Sequence, residues 1–223
     1  TNTQYMFSNC SLLAELDVKD WNTEKVTNMG YMFQNCSALK EPDVSSWDTS
    51  AVIYMTSMFN NCSALTELDV SEWDTSNVTS MSSMFSNCSA LTDIDVSKWN
   101  TRKVNSMQYM FQGCSALTEL DARNWDVSNV NTMGFMFTKC KNLRTLYLNN
   151  WNVNKGVAYM FTNCPNLTTI YAQDWTDGGN NTDVSGVLEV FYGSPLIKTS
   201  GDGGNKCKPI EDGGYSTTPP PGS

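Results

Sequence analysis

The residues best placed to do chemistry are carboxylates that recur at a fixed interval. Glu15, Glu41, Glu67, Asp93 and Glu119 form one series, and Asp17, Asp43, Asp69, Asp95 and Asp121 form a second, two residues further on. Within each series the members stand 26 residues apart. Oxygen ligands in such numbers suit a hard cation. Ca²⁺ binds oxygens at about 2.4 Å, so Glu67, Asp69, Asp93 and Asp95 could bracket an ion between neighbouring repeats. The same stripe could engage a basic protein patch. Against both stands the expectation that the acids only solubilise a surface and are screened by counterions. Like charges stacked about 4.8 Å apart repel by about 1 kcal/mol even in water.

Towards the C-terminus the series change character. Thr145 and Tyr147, then Thr169 and Tyr171, replace the acids, with Arg144 and Lys141 beside them. An acidic stripe ending in an aromatic pair has the chemistry of a recognition surface for a protein or glycan. The candidate partner-binding residues are therefore Glu15, Asp17, Glu41, Asp43, Glu119, Asp121, Arg144, Tyr147 and Tyr171. The competing expectation is that the two tyrosines stack only on each other and on a terminal cap.

Catalysis finds little support. Histidine is absent, which removes the commonest general base and metal ligand. No G-x-S-x-G, P-loop or Cys/His zinc spacing occurs. Glycoside hydrolysis needs two carboxyls in distinct environments within a cleft, whereas these recur identically. No enzyme activity is expected, and no cofactor beyond the possible Ca²⁺. A net charge of −9 and a pI near 4.4 disfavour nucleic acid and anionic membranes and favour a cationic partner. No apolar run approaches the roughly 20 residues that span a bilayer, and no charged-then-apolar leader opens the sequence.

Cysteine usage points to the elements that hold these groups. Cys10, Cys36, Cys62, Cys88, Cys114 and Cys140 recur every 26 residues and Cys164 follows after 24, always as F-x-x-C. They therefore share one structural position, expected to be a row of buried free thiols. Disulfides between adjacent turns are within reach by distance, but parallel side chains rarely meet the required dihedral. Cys207 lies outside the row. Phe7, Phe33, Phe59, Phe85, Phe111, Phe137, Phe161 and Phe191 form another column, and Trp21, Trp47, Trp73, Trp99, Trp125, Trp151 and Trp175 a third.

Two periods run within each repeat. Leu65, Leu68 and Val70 alternate with Glu67, Asp69 and Ser71, which predicts a half-buried strand over 66–71. Met81, Met84, Phe85 and Cys88 stand at i, i+3, i+4 and i+7, which predicts a short helix capped by the preceding Thr79. Thr27, Asn105 and Asn131 are the equivalent caps, and Ile53 predicts a poorer start. One repeat cannot cover its own thin core, so the units must stack, about eight turns in a monomer. Pro42 replaces an inward Leu and predicts a local irregularity. The fold class expected is an α/β solenoid, leucine-rich-repeat-like: a right-handed parallel β-solenoid with one short strand and one short helical segment per repeat of about 26 residues.

L-x-x-L-x-V-x-x-W resembles the strand half of leucine-rich repeats, and M-x-x-M-F-x-x-C resembles the helix half of BspA-like repeats. The whole unit, with its W-D-T-S-N-V-T-x-M core, is similar to the 26-residue repeat of bacterial surface proteins and lipoproteins. That resemblance implies a secreted or cell-surface location, an adhesion or interaction duty, and no cofactor. A structural spacer without its own ligand is the alternative function. Residues 1–197 are expected to form the repeats, 198–215 a C-terminal cap, and 216–223 a Pro-rich linker or tail.

Two further columns complete the reading. Tyr5, Tyr31, Tyr109, Phe135 and Tyr159 precede the second Met, interrupted by Ser57 and Ser83. They are expected to seal the edge of the core, with binding of a sugar or a neighbouring rod as the alternative. Thr23, Thr49, Thr75 and Thr101 occupy a corner, where turn bonding accounts for them better than an ice-binding array does.

Overall fold

The computed structural model describes residues 1–151 and 156–171, together with three two-residue strands at 198–199, 208–209 and 215–216. The strands in chain order are β1 (Glu119–Asp121), β2 (Thr145–Tyr147), β3 (Thr169–Tyr171), β4 (Lys198–Thr199), β5 (Lys208–Pro209) and β6 (Tyr215–Ser216). β1, β2, β3 and β4 pair in that order in parallel, with Leu120, Leu146 and Ile170 in register. β5 and β6 pair antiparallel. The expected roles of Trp175, Phe191, Cys207, and most of the 198–215 cap and the 216–223 tail lie outside the described residues.

Residues equivalent in sequence meet in space. Isolated parallel bridges join Asn2 to Asn28, Asn28 to Tyr54, Tyr54 to Ser80, Ser80 to Ser106 and Ser106 to Thr132. Tryptophan rings stack on tryptophan rings, as Trp73–Trp99 at 6.5 Å and Trp99–Trp125 at 6.1 Å between centroids. Phenylalanine rings do the same, as Phe33–Phe59 at 5.3 Å. Each ring thus buries both faces against a copy of itself, which a single repeat could not arrange.

The helical segment predicted for M-x-x-M-F-x-x-C is not formed, and no helix occurs among the described residues. Two left-handed residues interrupt each copy: Tyr31 at φ 59° and Asn35 at φ 61° in one repeat, Ser83 at 56° and Asn87 at 61° in another. A right-handed helix admits neither. Alternate amides point two ways. Met32, Gln34 and Cys36 donate to carbonyls three residues back, at 3.3, 3.2 and 3.1 Å. Tyr31, Phe33 and Asn35 donate into the next repeat, to Thr56, Met58 and Asn60 at 2.8, 2.9 and 2.8 Å. The buried spacing of Met29, Met32, Phe33 and Cys36 is as predicted, yet a ladder between repeats produces it. The expected caps belong to the same ladder. Thr79 donates its amide to Ile53, Asn105 to Thr79, and Ile53 itself to Thr27, so Ile53 is no exception.

The E-L-D side also differs from expectation. Glu67, Leu68, Asp69 and Val70 alternate exposed and buried as predicted, but 66–71 form no strand, and on this side strand pairing begins at β1. Pro42 is buried in its column and has no amide to donate to a sheet. In those earlier repeats side chains carry much of the linkage. The Trp73 indole Nε1 donates to the Val44 carbonyl at 3.0 Å and Trp99 Nε1 to Val70 at 3.1 Å. Thr49 and Thr75 hydroxyls donate onward to the Asp74 and Asn100 carbonyls at 3.0 and 3.1 Å.

Cys10, Cys36, Cys62, Cys88, Cys114, Cys140 and Cys164 are free thiols, and all but Cys10 are buried. They do more than fill space. Each buried Sγ donates to the phenylalanine carbonyl one repeat earlier, as Cys62 to Phe33 and Cys88 to Phe59, both at 3.1 Å. Each of these carbonyls already accepts the amide of the cysteine in its own repeat, as Phe33 does from Cys36 at 3.1 Å, so the thiol is a second, weak donor that links one repeat to the next.

Candidate functional site

The E-L-D face carries the acids where the sequence places them. Glu15, Glu41, Glu67, Asp93 and Glu119 are exposed, as are Asp17, Asp43, Asp69 and Asp95, with Asp121 half-buried. Local bonding fixes most of the aspartates. Asp43, Asp69 and Asp95 each accept the amide and the hydroxyl of the serine two residues on, with hydroxyl distances of 2.6, 2.8 and 2.6 Å. The Ser97 hydroxyl and amide hold the Asp95 carboxyl below its ordinary range, and Ser45 does the same to Asp43. These contacts close an Asx-type turn after the segment, which is sufficient reason for Asp at this position.

Cations answer part of the charge. Lys19 approaches Asp43 at 3.7 Å, Lys98 pairs with Glu72, and Arg123 Nε meets both oxygens of Asp121 at 2.9 and 3.0 Å. For the calcium reading of Glu67, Asp69, Asp93 and Asp95 the geometry is unhelpful. Among the described residues no three acidic, cysteine or histidine side chains converge as a metal would require.

The aromatic end of the stripe is more structured. Tyr147 and Tyr171 stack at 4.8 Å with their planes 6° apart, and the Arg123 guanidinium lies 4.9 Å from the Tyr147 ring centre. Beside them Asp93, Asp95, Glu119, Asp121, Arg123 and Tyr147 line an open depression of about 420 Å³. Arg144 is held through its backbone: its amide donates to Thr118 and its carbonyl accepts from Thr168 and Thr169. The guanidinium beside Tyr147 is that of Arg123, which the sequence pattern had not singled out. The available signal was that Arg123 stands where Ser45, Ser71 and Ser97 close the turn in earlier repeats.

Comparison with known proteins agrees with the repeat. The family described as "Mycoplasma protein of unknown function, DUF285" matches residues 1–120 and again residues 66–175. The chain belongs to this family. It is a repeat-containing bacterial family, and the two overlapping placements are what a repeated sequence permits. No curated protein matches the chain. Among the described residues, no helix is long and apolar enough to cross a membrane.

Proposed function

We propose that this member of the family is a non-catalytic interaction module that presents its E-L-D face to a protein partner outside the cell. In this reading the fold is a right-handed parallel solenoid of the leucine-rich-repeat kind, similar to BspA-like surface proteins. The observation that carries the proposal is the depression lined by Asp93, Asp95, Glu119 and Asp121 and bordered by the Arg123–Tyr147–Tyr171 stack. A basic side chain entering it would gain ion pairs and an aromatic wall together.

A plain spacer gives no reason for the serine column to break at Arg123 and the acid column to break at Tyr147 in the same place. The acids recur in like surroundings along an open surface, which suits recognition better than acid–base chemistry. Burial of the thiol row protects it from oxidants and is compatible with an extracellular location.

Surface plasmon resonance against a panel of matrix proteins and mucins tests the reading. Saturable binding, weakened at least tenfold by Asp95→Asn with Asp121→Asn and by raised salt, is expected. Binding to none of the panel would leave the spacer as the better account. Binding indifferent to both substitutions would overturn the choice of face.

A further inference from the structure

On the side of the stack marked by the Asn2–Thr132 bridge column, Gln4, Asn28, Gly30, Tyr31, Tyr54 and Thr56 line a second groove, of about 270 Å³. None of these residues is charged, in a chain whose net charge is −9. Tyr54 is 49% exposed. Tyr31 has one ring face covered by Tyr5, stacked at 4.7 Å and 16°. The next residue in that column is Ser57, too small to cover the other face. Tyr31 also holds φ at 59°, a left-handed conformation that costs a bulky residue about 1–2 kcal/mol.

Gly30 keeps the groove open. A Cβ there would stand 3.1 Å from Asn28 Oδ1 and 3.4 Å from the Thr56 carbonyl. The backbone does not demand glycine, because Gly30 lacks the positive φ of Gly113 and Gly156, and four of the five equivalent residues at the 26-residue spacing are Gln4, Thr56, Ser82 and Gln108, the fifth being Gly134. Polar groups surround it. Asn28 Oδ1 accepts the Gly30 amide at 2.8 Å, whereas the Asn28 NH₂, the Gln4 side-chain amide and the Tyr31 and Tyr54 hydroxyls bond to nothing among the described residues.

We propose that this groove is a subsite for one ring of a neutral saccharide. A pyranose offers a C–H face to an aromatic ring and hydroxyls to amides at its edge, and it needs no charged partner. The two tyrosines supply the faces, Gln4, Asn28 and Thr56 supply the polar edge, and Gly30 supplies the depth. The site uses none of the residues of the acidic depression, so it stands apart from the function proposed for that surface.

Saturation-transfer NMR with maltotriose, cellotriose and chitotriose tests it on the whole chain. Transfer to at least one trisaccharide is expected. Gly30→Gln, which installs the residue found at positions 4 and 108, should weaken that binding at least tenfold with an unchanged circular dichroism spectrum. Tyr54→Ser, matching Ser80 and Ser106, should do the same and decides the matter if Gly30→Gln misfolds. Asp121→Asn should leave saccharide binding as it was. Transfer to none of the three sugars, or wild-type binding by a folded Gly30→Gln or Tyr54→Ser chain, would overturn the proposal.

Discussion

Raising the pH should unfold this protein through its core. Cys62, Cys88, Cys114 and Cys140 are fully buried, and burial pushes each thiol well above the ordinary 9.0, Cys114 to about 12. An unfolded chain ionises these thiols as the pH passes 9, while the native stack keeps them protonated and donating to phenylalanine carbonyls. Above pH 9 the native state therefore binds more protons than the unfolded state, so stability falls as pH rises. The contribution is complete below 9 and is lost on the way up to the native values. At pH 10 the loss is about 1.4 kcal/mol for each thiol and about 5 to 6 kcal/mol for the four, comparable with the whole stability of many domains. Urea unfolding followed by circular dichroism, at pH 8, 9 and 10 with reductant present, measures it. Tyrosines and lysines titrate in the same range, so Cys88→Ala provides the control and should reduce the loss between pH 8 and 10 by about 1.4 kcal/mol. An unchanged pH dependence in Cys88→Ala, or equal stability at pH 8 and 10, would refute the reasoning.

Three further outcomes are expected. Trp99→Phe removes the indole bond to the Val70 carbonyl, which keeps the Trp73 amide at 3.2 Å, and should cost about 1–3 kcal/mol in urea unfolding from the lost bond and the smaller ring. Trp21→Phe, half-buried and without an indole bond among the described residues, should cost clearly less, and equal costs would argue against the indole ladder. Asn61→Gly keeps the φ of 60° and loses only the amide ladder to Asn35 and Asn87, whereas Asn61→Val should cost about 1–2 kcal/mol more on thermal melting; a Val variant as stable as Gly would contradict the left-handed backbone. Millimolar Ca²⁺ should leave the melting midpoint in place, because no three acidic groups converge among the described residues; a rise of several degrees would reinstate a calcium site.

By itself the sequence determined which residues occupy equivalent positions and which of them are inside. Fixed 26-residue spacing placed the Trp, Phe, Met and Cys columns, and residue chemistry placed them in the core, because identical apolar side chains can all be buried only by lying over one another. It likewise placed the two acidic columns outside. Tertiary structure decided how the backbone carries those columns. An i, i+3, i+4, i+7 pattern describes a helix when a segment must satisfy its own amides. Here the neighbouring repeat offers carbonyls within 2.9 Å of Tyr31, Phe33 and Asn35, so every second amide bonds outward and left-handed residues become tolerable. The position of Arg123 over the Tyr147 ring depended in the same way on a side chain that reaches across to the next repeat. Spacing within one repeat records which side chains are buried, but it contains nothing about the hydrogen-bond partners that the repeat above or below supplies.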